Sequence, residues 1–83
     1  MNDQEIFDKL LEIIHICMPD AEMGEVGMDT VINRDLGVDS MNFVLIVCKI
    51  EAEFGIRIPD RVWPKLSTVR DVVNEIQKRL SSK

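Results

Sequence analysis

The sequence has few of the residues that build metal centres, disulfide frameworks or catalytic triads. It contains one histidine, His15, and two cysteines, Cys17 and Cys48, and their spacing is not that of a zinc site. Two cysteines do not form a disulfide framework, so a reduced cytoplasmic setting is expected. No G-x-S-x-G turn is present, and the lone imidazole is expected on a solvated helix face. The sequence therefore predicts a protein that is not an enzyme and binds no metal.

Tyrosine is absent and aromatic residues make up only 5% of the chain, although hydrophobic residues make up 46%. This composition indicates aliphatic packing between helices and excludes a wholly disordered chain. The longest apolar run, residues 43–48, is far too short to span a membrane. Acidic residues stand near the N-terminus where a signal peptide would be basic, so export is not expected. We expect residues 1–83 to form a single small domain with one core.

Charge is divided unevenly along the chain, whose net charge is −5. Residues 1–39 hold ten acidic and two basic side chains, whereas residues 40–83 hold five acidic and eight basic ones. Because the chain has no basic stripe, it is not expected to bind nucleic acid. The acidic first half is expected to meet basic partner surfaces.

Helix signals mark both ends of the chain. Asn2 and Glu5 have the spacing of a capping box, and the apolar periodicity that follows ends just before Pro19. A second periodic segment near the C-terminus follows Ser67 or Thr68, either of which is a suitable cap. The sequence therefore predicts a first helix up to residue 18 and a last helix starting near residue 69.

The middle of the chain predicts two further helices. One starts at residues 39–40 and runs to Phe54, with the glycine that follows as its C′ residue. The other is a brief or distorted helix near residues 61–66, capped by Asp60 and disturbed by Pro64. The predicted fold class is an all-α bundle of three main helices plus one short helix.

A long first loop, residues 19–39, joins the first two main helices. Loops of this length are uncommon in compact domains and are often functional. Its apolar residues predict an ordered crossover packed over the core, with a helical turn near Asp29. These residues are Met23, Val26, Met28, Val31, Ile32 and Leu36.

The helix that begins near residue 40 is apolar on two opposite sides. The expected core stripe is Phe43, Ile46, Val47, Ile50 and Phe54, and the second stripe is Met41, Leu45, Cys48 and Ala52. Such a helix is either fully buried or presents a binding face. Full burial is hard to arrange in 83 residues, so the second stripe is a candidate partner surface.

Ser40 stands at the start of this helix, where backbone N–H groups have no helical partner and favour an anion. A phosphate on its hydroxyl would occupy a helix-terminus anion site. An Asp-Ser pair that opens a helix is most often only a cap. The pair alone leaves both interpretations open.

Two longer motifs extend the pattern around this serine. The segment LGVDSM at residues 36–41 resembles the attachment motif of acyl carrier proteins, which usually has leucine after Asp-Ser. The segment EAEFGIRIPD at residues 51–60 resembles the end of that family's second helix and the loop after it. The length, the acidic first half and the helix order agree as well, so the resemblance covers essentially the whole chain.

The resemblance implies a cofactor, 4′-phosphopantetheine, which a phosphopantetheinyl transferase moves from coenzyme A to Ser40. It implies a stand-alone monomeric carrier that holds acyl groups as thioesters for fatty-acid or related lipid biosynthesis. Its partners would be this transferase and acyl-transferring and condensing enzymes with basic or apolar docking surfaces. A carrier for polyketide or aminoacyl cargo, and an unmodified helical interaction module, remain open as alternatives.

The chain departs from typical carriers of fatty-acid synthesis, which show repeated acids along this helix. Here the helix has only Glu51 and Glu53, and Lys49 adds positive charge. The departure suggests a specialised carrier in a dedicated pathway, with an unusually apolar docking interface. The candidate partner contacts are Asp39, Met41, Val44, Leu45 and Cys48.

Two roles are left open by the sequence. Asp39 is a candidate helix cap, a residue that presents Ser40, or a contact for a basic group of the transferase. Trp63 either lines an acyl cleft, anchors a partner or packs under the loop. The acyl-cleft candidates, for which ordinary core packing is the alternative, are Ile32, Ile46, Ile50, Ile58, Trp63 and Val69.

Overall fold

The structure, a computed structural model, describes residues 1–21 and 24–82. Its described residues form four α-helices and one 3₁₀ helix: α1 (Asp3–Cys17), α2 (Ile32–Asp35), α3 (Ser40–Phe54), the 3₁₀ helix (Asp60–Lys65) and α4 (Val69–Ser81). The all-α bundle with three main helices and a long first loop is confirmed. The described part of the chain holds no helix long and apolar enough to cross a membrane.

The two outer helices begin with reciprocal capping boxes. The Asn2 side chain accepts a hydrogen bond from the Glu5 N–H at 2.9 Å, and the Glu5 carboxylate accepts one from the Asn2 N–H. At α4 the Thr68 hydroxyl accepts from the Asp71 N–H at 3.1 Å, and the Asp71 carboxylate accepts from the Thr68 N–H. Of the two predicted caps for the last helix, Thr68 is therefore the correct one.

The ends of α3 lie where the sequence predicts them. Asp39 is its N-cap, and Gly55 follows its last residue in the left-handed conformation, with φ of 65°. A residue with a side chain would be strained at that φ, so glycine ends the helix at low cost. The chain then turns back and buries Ile56 and Ile58 in the core.

The helical turn predicted near Asp29 is wrong in position, since the helical turn of the first loop is α2, Ile32–Asp35. The backbone around Asp29 is instead bonded across to the start of α4. The Ile32 N–H donates to the carbonyl of residue 67, and carbonyls of residues 28 and 30 accept N–H groups of residues 70 and 69. Groups that pair across the chain cannot pair along a helix, so the helix starts only after this contact.

The predicted cap role of Asp60 is also wrong. The 3₁₀ helix begins one residue earlier, because the Val62 N–H donates to the Pro59 carbonyl at 2.9 Å. Asp60 is therefore its first residue, and its cap, Pro59, makes no side-chain hydrogen bond. Pro64 lies inside the element, in agreement with the prediction of a brief and distorted helix.

The core lies between α1, α3 and α4, since α1 packs against both of the other long helices. The first loop adds three buried residues, Ile32, Leu36 and Val38, and therefore packs over the core as predicted. Met23, which was expected to join them, lies outside the described residues. The buried apolar residues of the three long helices are Ile6, Leu10, Ile13, Ile14, Ile46, Val47, Ile50, Phe54, Val69, Val72, Val73 and Ile76.

Candidate functional site

Ser40 is the first residue of α3 and its side chain is exposed. The capping hydrogen bond is made by its neighbour, because the Asp39 carboxylate accepts the Asn42 N–H at 2.8 Å. Asp39 thus satisfies an N–H group that the helix leaves unpaired, and Ser40 is not needed for that purpose. The hydroxyl of Ser40 is left available at the positive end of a 15-residue helix.

The approach to Ser40 is fixed by the two residues before the cap. Gly37 has φ of 68°, a conformation that residues with a side chain rarely adopt. Val38 is buried, with 4% of its surface exposed, and anchors the loop to the core. The turn therefore presents Asp39 and Ser40 to solvent from a rigid base.

A groove of about 530 Å³ runs beside Ser40. This volume is typical of small-molecule sites, which are mostly apolar with a few polar groups. Its walls come from α2, the first turn of α3, the 3₁₀ helix and the link to α4. The lining residues are Ile32, Asn33, Val38, Asp39, Ser40, Phe43, Val44, Asp60, Trp63, Pro64, Leu66 and Ser67.

One wall of this groove is an aromatic pair. The rings of Phe43 and Trp63 meet edge to face, with centroids 5.9 Å apart and planes at 72°. The Trp63 indole N–H donates to the Ile58 carbonyl at 3.0 Å, so its orientation is set at both ends. The pair connects α3 to the 3₁₀ helix within one turn of Ser40.

The six acyl-cleft candidates divide into two groups. Ile32 and Trp63 line the groove beside Ser40. Ile46, Ile50, Ile58 and Val69 do not line this groove; each is at most 2% exposed in the core. Their part in holding an acyl chain stays a prediction.

Several groove residues were missed by the sequence reasoning. Phe43 was assigned to the core, but it lies three residues after Ser40 and so projects from the same side of the helix. That spacing is a signal that could have identified it. Asn33, Asp60 and Ser67 reach the groove only through contacts between distant segments, which no local pattern indicates.

The candidate partner contacts are exposed on the outer side of α3. Met41 is 76% exposed, Leu45 50% and Val44 41%, and Cys48 is exposed as well. Asp39 is exposed at the start of the same helix. Whether these residues contact a partner stays a prediction.

Both carboxylates of α3 form contacts within the molecule. Glu51 accepts the Ile58 N–H at 2.8 Å and so holds the chain reversal after the helix. Glu53 pairs with the Lys9 ammonium of α1 at 3.0 Å, and this partner raises the pKa of Lys9. The acids that α3 does have therefore serve mainly to join elements of the fold.

Two carboxylates, those of Asp39 and Asp60, line the groove beside Ser40. Asp35, which is not among the groove residues, accepts the Val31 N–H at 2.9 Å. That N–H, with the Arg34 guanidinium, lowers the pKa of the Asp35 carboxyl. In the part of the chain that the structure describes, no three His, Cys, Asp or Glu side chains are grouped to hold a metal ion.

Comparison with known proteins places this chain in a family. Residues 4–76 match the family described as "Phosphopantetheine attachment site". The acyl carrier protein of Thermotoga maritima is 36% identical over 77 residues, which cover 93% of this chain and 94% of that protein. The acyl carrier protein of Campylobacter hominis is 39% identical over 74 residues, covering 89% and 87%.

The fold has a counterpart among solved structures. The 5-phenyl-3-oxo-pentyl actinorhodin acyl carrier protein from Streptomyces coelicolor superposes with a TM-score of 0.77 and covers 90% of each chain. Its sequence is 22% identical, so this likeness concerns the fold. Together with the match over residues 4–76, these relatives show that the chain belongs to the acyl carrier protein family, whose members are carriers rather than enzymes and hold a covalently attached phosphopantetheine group.

Proposed function

We propose that the Ser40 hydroxyl is the attachment point of 4′-phosphopantetheine in this chain. The observation that carries the proposal is that Asp39, and not Ser40, caps α3. Ser40 is therefore exposed at a helix start and is not needed there as a cap. When bound, the group supplies a flexible arm whose thiol holds acyl cargo as a thioester.

The residues around Ser40 fit such a group. A phosphodiester is an anion, and the start of α3 offers unpaired N–H groups and the positive end of the helix dipole. The exposed side chain leaves room for a transferase to approach. Asp39 orients the helix start, and the buried Val38 keeps this turn in place.

We further propose that the groove receives the apolar part of the arm or cargo. Its walls are mostly aliphatic and aromatic, and Asn33 and Ser67 offer polar contacts. Trp63 is the natural reporter, since it is the only tryptophan of the chain. If acyl chains of increasing length are loaded and Trp63 fluorescence does not change at any length, the groove does not hold them.

The pathway we propose is fatty-acid or related lipid biosynthesis, served by a dedicated set of enzymes. Support comes from the outer side of α3, where exposed Met41, Val44 and Leu45 replace the acidic surface typical of general carriers. We propose that its enzymes dock through apolar contacts there, and that the carrier acts as a monomer. The cytoplasmic setting stays a prediction, and the mass of the cargo on the native protein identifies lipid, polyketide or aminoacyl chemistry.

Loading in vitro tests the attachment. The protein is incubated with coenzyme A, magnesium and a broad-specificity phosphopantetheinyl transferase, and its intact mass is measured. We expect a gain of one phosphopantetheinyl group, and no gain in Ser40→Ala. Ser67→Ala is the matched control, because Ser67 also lines the groove but is not the first residue of a helix. No gain with several transferases would support the unmodified interaction module instead.

A further inference from the structure

The outer side of α3 combines an apolar centre with a single cation. We call the five residues Met41, Val44, Leu45, Cys48 and Lys49 the outer face. Lys49 follows Leu45 by four residues, so the two side chains lie next to each other on this face. Lys49 is exposed, and it forms no ion pair with any residue in the described ranges 1–21 and 24–82.

No carboxylate of α3 forms an ion pair with this cation. Glu53 is paired with Lys9, and Glu51 accepts a backbone N–H from the loop after the helix. The Lys49 ammonium is therefore available to a visiting molecule.

The end of α3 at Ser40 is negative. Asp39 and Asp60 both line the groove beside Ser40, and both are exposed. Lys49 lies nine residues along the helix from Ser40, which corresponds to about 14 Å at the rise of an α-helix. The surface around α3 thus has acidic groups near the serine, the apolar residues of the outer face after them, and Lys49 beyond.

We propose that the outer face docks an acyl-handling enzyme whose surface is apolar and carries a carboxylate opposite Lys49, with a basic group opposite Asp39 and Asp60. This inference rests on the proposed function, because an acyl-handling enzyme acts only on a chain that carries the phosphopantetheine arm. In the complex, the partner's carboxylate lies about 14 Å from the part of the partner surface that faces Ser40.

The charge order gives the complex a direction. An apolar strip supplies contact area but little preference for one orientation along the helix. With unlike charges at its two ends, the reversed orientation brings Lys49 against the partner's base and Asp39 against its acid. Like charges in contact are costly at an interface, so the order of charges selects the orientation that delivers Ser40 to the enzyme.

The experiment uses the full chain loaded with phosphopantetheine and the condensing and acyl-transfer enzymes of the source organism. Loading is confirmed first by intact mass for the wild-type chain, Lys49→Glu, Lys49→Gln and Lys78→Glu. Lys78 is an exposed lysine of α4 and receives the same charge reversal away from the outer face. The dissociation constant is then measured at low and at physiological ionic strength.

We expect Lys49→Glu to weaken binding roughly tenfold at low salt, Lys49→Gln to weaken it less, and Lys78→Glu to leave it unchanged. The loss should shrink as salt screens the charges. Equal or tighter binding of Lys49→Glu to every enzyme that binds the wild type would overturn the inference, since the partner surface would then be neutral or basic at that point. Sedimentation showing a wild-type dimer that Leu45→Glu dissociates would also overturn it, because a second copy would cover the face.

Failure of the proposed function gives a different result. In that case the wild-type chain does not gain the phosphopantetheinyl group in the loading step. A chain that loads fully but shows no effect at Lys49 contradicts only the docking inference.

Discussion

Helices α3 and α4 are similar in length but use their apolar residues differently. In α4 the apolar side chains lie mainly on one buried face, whereas the opposite face is polar. In α3 one set, including Ile46, Val47 and Ile50, is buried in the core, and a second set is exposed to solvent. The fold requires only the first set. Helix α4 therefore serves the scaffold alone, while α3 serves both the scaffold and a second purpose.

The N-terminal ends of the two helices also differ, in how many bonds hold each of them to the rest of the fold. At α4 a complete capping box is combined with backbone bonds to the first loop, and Arg70 pairs with Asp29 across this contact. At α3 a single carboxylate, that of Asp39, forms the cap, and the first turn contains no acidic residue. The start of α4 is thus tied into the structure, whereas the start of α3 remains open to an added anion.

The largest effect is expected from truncating the two faces of α3 in parallel. Ile50→Ala removes a side chain that is 1% exposed and should lower the free energy of unfolding by about 2–5 kcal/mol. Leu45→Ala on the outer face should change it by less than about 0.5 kcal/mol. Urea unfolding followed by circular dichroism measures both. Equal losses would show that Leu45 is part of the structural core and that the two faces of α3 contribute equally to stability.

A second variant tests what the outer face is for. Leu45→Glu should leave stability unchanged, because Leu45 is half exposed and lies outside the core, and its loading at Ser40 is checked first by intact mass. It should lower kcat/KM of the partner enzymes about tenfold, since a carboxylate is placed in an apolar contact. Turnover is measured with phosphopantetheine-loaded chains. Unchanged turnover would exclude this side of α3 as the docking surface.

A third variant separates the roles of Asp39. Asn caps helices as well as Asp does, so Asp39→Asn should change the free energy of unfolding by less than about 0.5 kcal/mol, whereas Asp39→Ala should cost about 1 kcal/mol. Asn lacks the charge that would attract a basic group of the transferase. We therefore expect Asp39→Asn to lower kcat/KM of loading several-fold, with the loss reduced at high salt.

The outcome decides whether Asp39 contacts a basic group of the transferase. If Asp39→Asn loads at the wild-type rate at every salt concentration, the charge of Asp39 makes no such contact.

The smallest effect is expected on stability at low pH, through the carboxylate that caps the start of α4. The N–H groups of Thr68 and Ser67 donate to the Asp71 carboxylate and lower its pKa below the usual 3.8. Its contribution to stability is therefore complete above that value and is lost as the pH falls through the lowered pKa of the folded state. Urea unfolding between about pH 5 and pH 2 should show a shallower decline for Asp71→Asn than for the wild type. Parallel curves would show that this carboxylate does not contribute.

Local signals in the sequence predicted the elements of the fold well. The capping pairs, Pro19 and Gly55 each act within one turn, so the bounds of the long helices could be read from them. The turn near Asp29 was misplaced because its backbone bonds to residues 67–70, a contact between distant segments. Tertiary contacts of this kind override local preference and leave no periodic pattern in the sequence.

The site was predictable only in part. The exposure of Ser40 and of Met41 and Leu45 follows from their positions along one helix. The groove does not, because four separate segments form it and its aromatic wall depends on Phe43 meeting Trp63. The acyl-cleft candidates share an apolar character, and that property alone does not distinguish Ile50, which lies only in the core, from Ile32, which also lines the groove.

The most direct test locates the added group on the chain. Trypsin releases residues 35–49, between Arg34 and Lys49, and Ser40 is the only hydroxyl side chain in that peptide. After loading from coenzyme A, fragment masses of the peptide should place one phosphopantetheinyl group on Ser40, with Cys48 unmodified. A peptide without the added mass, or with the mass on any other residue, would contradict the assignment of the open start of α3 as the attachment site.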